Sequence, residues 1–296
     1  MTLKALWRHR VSYLFLLPTF LFLAVFNYFP ALSGLYHAFT DWEAGIDAHW
    51  IGLENFRKMA QDEFLRLSIG NQVLLLIANL LKTLIAPLVV AEMLFHLSSK
   101  RLQYALRTLF LVPMVVPGMV AILLWGFIYD SNIGLLNNAL TTFGLQGLTR
   151  SWLGDWQTVL PALVGVGFPW IGGMGLLIYL AGLMGIPQDV LDSSGVDGAS
   201  GLKRIWMIDL PLLSGQMKLL SVLTIIGTLQ DFGSILVLTS GGPGLATHVP
   251  ALHMYFQAFR FGHYGYASAI GFVLFLVILA CTVANMKFAR STVELG

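Results

Sequence analysis

The chain has 296 residues, of which 57% are hydrophobic and 11% charged, with a mean hydropathy of +0.76 and a formal net charge of +2. An ordinary soluble domain carries roughly 25% charged residues; so little polar surface cannot enclose so much apolar matter, and lipid must be the solvent for most of this chain. The lack of any basic stripe excludes nucleic-acid binding, and the one cysteine, Cys281 inside an apolar run, excludes an internal disulfide or a paired-cysteine metal site and reads as a packed apolar side chain.

In chain order, the basic start "MTLKALWRHR" precedes an apolar stretch too long for a signal h-region and without a small-residue cleavage site, so it reads as a retained first span. Six apolar windows reach the roughly 20 residues that a helix needs to cross a bilayer. They lie at about 12–36, 70–96, 104–129, 157–184, 212–239 and 266–289. None alternates every second residue, so a β-barrel is excluded. Pro18, Pro87, Pro113, Pro117, Pro161 and Pro169 fall inside these windows and mark kinks. One side of the implied membrane collects Lys4, Arg8, Arg10, Lys100, Arg101, Arg107, Lys203, Arg204, Lys287 and Arg290. The other carries Arg57, Lys58, Arg66, Arg150 and Arg260, diluted by Asp41, Glu43, Asp47, Glu54, Asp62 and Glu63. The positive-inside rule then puts both termini in the cytoplasm and the loops 37–69, 130–156 and 240–265 outside. The expected fold is an all-α polytopic membrane protein of six transmembrane helices, a single transmembrane domain over 1–296.

Between the fourth and fifth windows lies "IPQDVLDSSGVDGASGLKRIWMIDLPLL", residues 186–213, with four acids, two bases, three glycines and two prolines. Pro187 suits a first helical turn, having no N–H to leave unpaired, and Asp189 and Asp192 favour that positive helix end. Gly195 and Gly198 break or bend the chain beyond that turn, and "SGLKRIW" restarts the helix. Two short cytoplasmic helices at an angle are expected. A plain connector needs only a few residues, so a helix that fits a groove on a soluble partner explains this segment better than a solvated loop.

The same residues resemble the cytoplasmic loop of binding-protein-dependent ABC importer permeases, whose pattern runs E-A-A-x-x-D-G-A and then I-x-L-P. Asp197, Gly198 and Ala199 match, as do Ile208, Leu210 and Pro211. Asp192 stands for the usual Glu, Ser193 and Ser194 for the two alanines, and Ile205 where an aromatic is common, with Trp206 beside it. Further blocks, among them "WIGLENF", "LFLVPMVVPGMVAILLWGFIYDSNIGLLN" and "TSGGPGLATHVPALHMYFQAFRFGHYGYASAIG", look like the carbohydrate-type subfamily of the maltose and glycerol-phosphate importers, over nearly the whole chain and in the right order. The resemblance implies the type I importer permease fold in the cytoplasmic membrane. It implies a second, unlike permease chain, two cytoplasmic ATPase subunits that each receive one permease loop, and an extracytoplasmic solute-binding protein. The coupling loop would be 186–211, with Asp192, Ser193, Ser194, Asp197, Gly198, Ala199, Lys203, Arg204 and Trp206 facing the ATPase. No phosphate-binding Gly-x-x-x-x-Gly-Lys motif occurs here, so this chain is expected to be no enzyme and to hold no cofactor, with ATP and Mg2+ in the partner ATPase.

Polar side chains at bilayer depth cost roughly 2.5–3.5 kcal/mol on insertion scales and are functional candidates by default. Asp231, beside Gln230 and after Thr228, either meets sugar hydroxyls or ties neighbouring helices together. Lys82, beside Asn79 and Thr83, pairs with Asp231 or an acid of a partner, or faces a wet cavity. Glu92 and Lys218 read as interfacial, Glu92 near a base. Trp125, Tyr129, Trp170 and Tyr255 either stack on sugar rings or line the membrane interface. His248, His253 and His263 fit no zinc spacing and read as surface residues, and no metal site is expected. A membrane-embedded enzyme would need a cluster of catalytic residues. A self-contained secondary transporter would leave the polar loop unexplained.

Overall fold

A computed structural model describes residues 10–288. Lys4, Arg8 and Arg290, used above for orientation, lie outside them. Among the described residues the structure is helical, with one isolated β-bridge between Thr40 and Trp50. Three helices are each long and apolar enough to cross a bilayer: α1, Tyr13–His37; α3, Glu63–Phe95; and α14, Tyr264–Lys287. Between the first two lies α2, Glu54–Gln61. Helix α3 begins at 63 rather than near 70; its 33 residues rise about 50 Å, well over a hydrocarbon core.

The remaining apolar windows are broken rather than continuous. Helix α4, Lys100–Leu111, and α5, Gly118–Ile128, are separated by a short 3-10 turn, Val112–Val115, and the two arms bend by 93°. Pro113 and Pro117 sit at that bend, where neither can donate to the helical ladder. A short helix α6, Leu135–Thr142, comes next. The window 157–184 divides into α7, Val159–Gly165, and α8, Gly173–Met184, around an irregular segment 166–172. The polar stretch supplies α9, Gln188–Val196, turned 73° from α8, and α10, Leu202–Leu212. The fifth window divides into α11, Ser214–Gln230, and α12, Gly233–Leu238, after a 67° bend between α10 and α11. Last before α14 comes α13, Pro250–Phe259.

Two widened turns have one cause. A π turn at Ala24–Tyr28 lies just before Pro30, and another at Ile205–Asp209 just before Pro211. A proline inside a helix lacks its N–H and clashes with the carbonyl four residues back, so the ladder opens to a wider ring ahead of it.

The described residues form two compact units: 10–62 with 254–273, and 63–253 with 274–288. In the first, Asn55 Nδ2 donates to the carbonyls of Ala38 (3.0 Å) and Thr40 (2.8 Å), and the Gly265 N–H donates to the Trp42 carbonyl (2.8 Å). In the second, the core is Ala91 and Leu94 of α3, Leu176, Tyr179, Leu180 and Leu183 of α8, and Leu213 and Leu220 around α11. Small residues bring these helices together, as membrane packing requires: a Cβ at Gly175 would stand 3.2 Å from Pro87, and one at Gly182 2.5 Å from Leu213. The Tyr179 hydroxyl, fully buried, donates to the Leu84 carbonyl (3.2 Å).

Candidate functional site

The second unit holds a half-open cavity of about 240 Å³, whose polar lining is Gln72, Asn79 and Lys82 of α3, Thr228 of α11, the exposed Asp231 at the break before α12, and Ser234 in its first turn. The break is what puts backbone and carboxylate there. Asp231 leaves the helical region (ψ 118°), and its carboxylate caps α12, accepting from the Ser234 amide (3.2 Å) and from the Ser234 hydroxyl. The wall opposite is knitted by amides: Gln72 Nε2 donates to the Thr228 carbonyl (3.1 Å) and Asn79 Nδ2 to the Thr228 hydroxyl (3.2 Å). Gln72 Oε1 is buried with no partner among the described residues, an acceptor left for a donor inside the cavity.

Lys82 lines this cavity and an adjoining one that includes Trp170. It does not pair with Asp231. Its ammonium donates to the Val164 carbonyl (3.1 Å), and Trp170 Nε1 donates to the same oxygen (3.1 Å). Val164 lies in the last turn of α7, where carbonyls have no helical partner, so two side chains from elsewhere satisfy one of them. Trp170 holds a positive φ of 61° in the irregular segment 166–172. Gln230, next to Asp231, is exposed and outside the cavity lining, and Trp125 packs on Tyr129 with ring centroids 5.3 Å apart, also outside it. Gln72 and Ser234 were not singled out from the sequence. A glutamine in the first third of a long apolar helix and a serine three residues past an aspartate are the signals that could have found them.

The coupling-loop residues have a specific local logic. Pro187 is the N-cap of α9 rather than its first residue, and Gly195 continues the helix instead of breaking it. The break falls at Gly198, whose φ is +69°. The Gly198 N–H donates to the Gly195 carbonyl (3.1 Å), and the Ala199 N–H to the Ser194 carbonyl (2.9 Å). These are the two bonds of a Schellman C-cap, with the apolar residue after the glycine tucked inward: Ala199 and Ser194 are both buried. The Asp-Gly-Ala run is thus a helix stop, and the small residue at 194 leaves room for it. Asp192 accepts from Gln188 Nε2 (2.8 Å), and the Ser193 hydroxyl donates to the Asp189 carbonyl (2.6 Å), so both are spent on α9 itself. Asp197 and Lys203 are exposed, and Arg204 Nε donates to Asp209 Oδ1 (3.3 Å). Around this scaffold Val196 is 89% exposed, Leu202 74% and Trp206 71%, an apolar crest on a loop otherwise rich in charge.

Other expectations change. His248 and His253 are buried, not surface residues, with Nε2 of the first 3.2 Å from Nδ1 of the second. Burial follows from the turn 239–247, where the Thr239 and Thr247 hydroxyls meet at 2.7 Å and Asn71 Nδ2 donates to the carbonyls of Leu245 and His248 (3.0 Å each). His263 Nδ1 lies 2.9 Å from Gln257 Oε1. Lys218 Nζ donates to the Met286 carbonyl (2.7 Å). Outside the helices, the Asp130 carboxyl is held below its ordinary range by the backbone N–H groups of Ile133 and Asn132.

A helical bundle with a polar cavity within and a capped, partly apolar loop at one end is a membrane transport component. Residues 83–291 match the family described as binding-protein-dependent transport system inner membrane component, and the chain belongs to that family. It is therefore a transport permease subunit of the cell membrane. It is 30% identical over 96% of its length to the probable ABC transporter permease protein YurN of Bacillus subtilis, of which 97% is covered. It is 26% identical over 98% of its length to MsmF, the multiple sugar-binding transport system permease of Streptococcus mutans (99% covered). Among solved structures, a bacterial ABC transporter involved in import of the acidic polysaccharide alginate superposes with a TM-score of 0.85 at 25% identity, over 98% of this chain and 99% of that one. The bacterial alginate transporter is also known in complex with its pentasaccharide-bound periplasmic protein.

Proposed function

We propose that this chain crosses the membrane six times with both termini in the cytoplasm and forms half of the path by which a carbohydrate or polyol-like solute is imported. A second, unlike permease chain supplies the other half, and an extracytoplasmic binding protein delivers the solute. The observation that carries the solute class is the polar cavity, where Gln72, Asn79, Lys82, Asp231 and Ser234 offer both donors and acceptors without a metal-type cluster. Neutral amides, hydroxyls and one charge of each sign suit a solute rich in hydroxyl groups. The relatives whose names state a cargo agree in chemistry: multiple sugars for MsmF, and sn-glycerol 3-phosphate for the UgpA protein of Agrobacterium fabrum.

ATP and Mg2+ belong, on this reading, to two cytoplasmic ATPase subunits, and no cofactor binds here. Each ATPase takes one permease loop into a groove, with α9 and the crest of Val196, Leu202 and Trp206 as the inserted face. Closure of the ATPase pair moves the loops together, and the rigid cap at Gly198 passes that motion to α10 and α11. The Lys and Arg residues near α4, α10 and the end of α14 support the cytoplasmic assignment of this end.

The test is a detergent pull-down of the tagged chain co-expressed with its neighbouring genes, intact or with 192–203 replaced by Gly-Ser. An ATPase that accompanies only the intact chain supports the coupling reading; an ATPase captured equally by both sinks it. Uptake of labelled sugars and polyols into proteoliposomes, with Asp231→Asn beside the wild type, tests the solute class, and transport of none of them overturns it.

A further inference from the structure

One cluster lies apart from both the cavity and the docking crest. Glu92, one turn before the end of α3, is 6% exposed, and neither carboxylate oxygen has a hydrogen-bond partner among the described residues. His96 comes four residues later, on the same helical face, with Nδ1 3.7 Å from Glu92 Oε2. Asp209, in the π turn ahead of Pro211, is fully buried. One of its oxygens accepts from Arg204 Nε, and Oδ2 has no hydrogen-bond partner. Ligand atoms of Glu92, His96 and Asp209 all lie within 4.8 Å of one another.

Two buried carboxylates this close repel one another, and burying an unpaired charge costs several kcal/mol in order of magnitude. Arg204 answers one of the two. It stands with its guanidinium carbon 5.4 Å over the Phe95 ring, and its Nη2 is itself unpartnered. With a neutral imidazole, Glu92, Asp209 and Arg204 together carry one net negative charge. From this geometry we propose that Glu92, His96 and Asp209 bind a divalent transition metal of the zinc type.

One imidazole and two carboxylates are a borderline-hard N/O set that suits zinc or manganese better than the all-oxygen cages of calcium. Zinc bonds of about 2.1 Å put tetrahedral donors roughly 3.4 Å apart, so the three side chains must close by on the order of an ångström. The exposed His96 ring is free to turn. It trades the contact of Nδ1 with the Glu92 carbonyl (2.9 Å) for the metal. The exposed edge at His96 is also the way in, and leaves a coordination position to water. Because α3 and the π turn contribute separate ligands, the bound ion would clamp the stem of the loop 186–211 to α3, and so restrain the segment on which α9 is carried.

The experiment uses the full-length chain, co-expressed with its neighbouring genes and purified in detergent. Bound metal is measured after equilibration with Zn2+ and gel filtration, and Co2+ serves as the spectroscopic probe. Wild type should carry one Zn2+ more than His96→Gln and Glu92→Gln, whose affinity falls at least about tenfold. Zn2+ should raise the melting temperature of the wild type but of neither variant, while in chelator His96→Gln melts as the wild type does and Glu92→Gln, relieved of a buried charge, melts no lower, which separates ligand loss from misfolding. His49→Gln, an exposed histidine elsewhere, should behave as wild type. Equal metal content in wild type and His96→Gln, or equal Zn2+ stabilisation of both, overturns the site. So does a wild type that binds none, the result expected if Glu92 is neutralised by a proton or by a swing of Arg204.

Discussion

Trp206→Ala tests the apolar crest most directly. The residue is 71% exposed, so its loss should leave the fold of the chain intact. A tryptophan can bury about 250 Å²; the exposed share is then roughly 180 Å², and at about 25 cal/mol per Å² this sets a ceiling near 4 kcal/mol for docking into an apolar groove. Ordering costs reduce that, and alanine truncation of interface anchors often costs about 2 kcal/mol, which is roughly thirty-fold in dissociation constant. The assay is ATPase binding to the permease in nanodiscs. Phe143→Ala is the control: Phe143 is 80% exposed, but in the loop proposed to face outside. A thirty-fold loss for Trp206→Ala with no change for Phe143→Ala is expected. Unchanged affinity for Trp206→Ala, in a chain that melts normally, refutes the argument that the crest is a docking face.

Gly198→Ala should weaken ATPase coupling through backbone strain alone, since a Cβ there meets nothing within 4 Å while φ is +69°; about 1 kcal/mol is expected, and Gly198→Asn should recover most of it. An alanine variant that couples as wild type would show the helix stop to be dispensable. Lys82→Met removes one of the two donors on the Val164 carbonyl and should cost about 1–2 kcal/mol in thermal stability while lowering solute uptake; ATPase docking should not move, and a docking defect would count against the separation of the two sites. Gly265→Ala places a Cβ 2.2 Å from the Thr40 carbonyl oxygen and 2.9 Å from the Trp42 nitrogen, both backbone, so yield of folded protein should drop sharply; normal yield would show that this turn can shift. For Asp130 the folded carboxyl titrates below its ordinary 3.8, so its contribution to the turn 130–134 is complete above that pH and is lost as the pH falls through the lower folded value. Asp130→Asn should abolish any acid transition of that turn seen by hydrogen exchange below about pH 4, and an identical transition in the variant would assign it elsewhere.

Composition, the apolar windows and the polar stretch 186–213 are properties of local sequence, and they suffice for a helical membrane protein with a structured loop. A continuous, non-alternating apolar run of this length satisfies its backbone in lipid as a helix, whatever surrounds it. The Asp-Gly-Ala run was legible for the same reason, because a glycine that stops a helix acts within six residues. Where the windows break was less legible. Proline announced the bend at 113–117, whereas in "TLQDFGS" only the serine three residues past the aspartate hints at the opening where Asp231 caps α12. Contacts across long sequence separations were not legible at all. Lys82 reaches Val164, Gln72 reaches Thr228, and Glu92 meets Asp209, because α8 packs on α3 at Gly175 and on the start of α11 at Gly182 and Leu213. Which polar groups share a cavity, and which buried acids face each other, depends on helix rotation and approach, and those are set by how side chains interlock across helices rather than by any one segment.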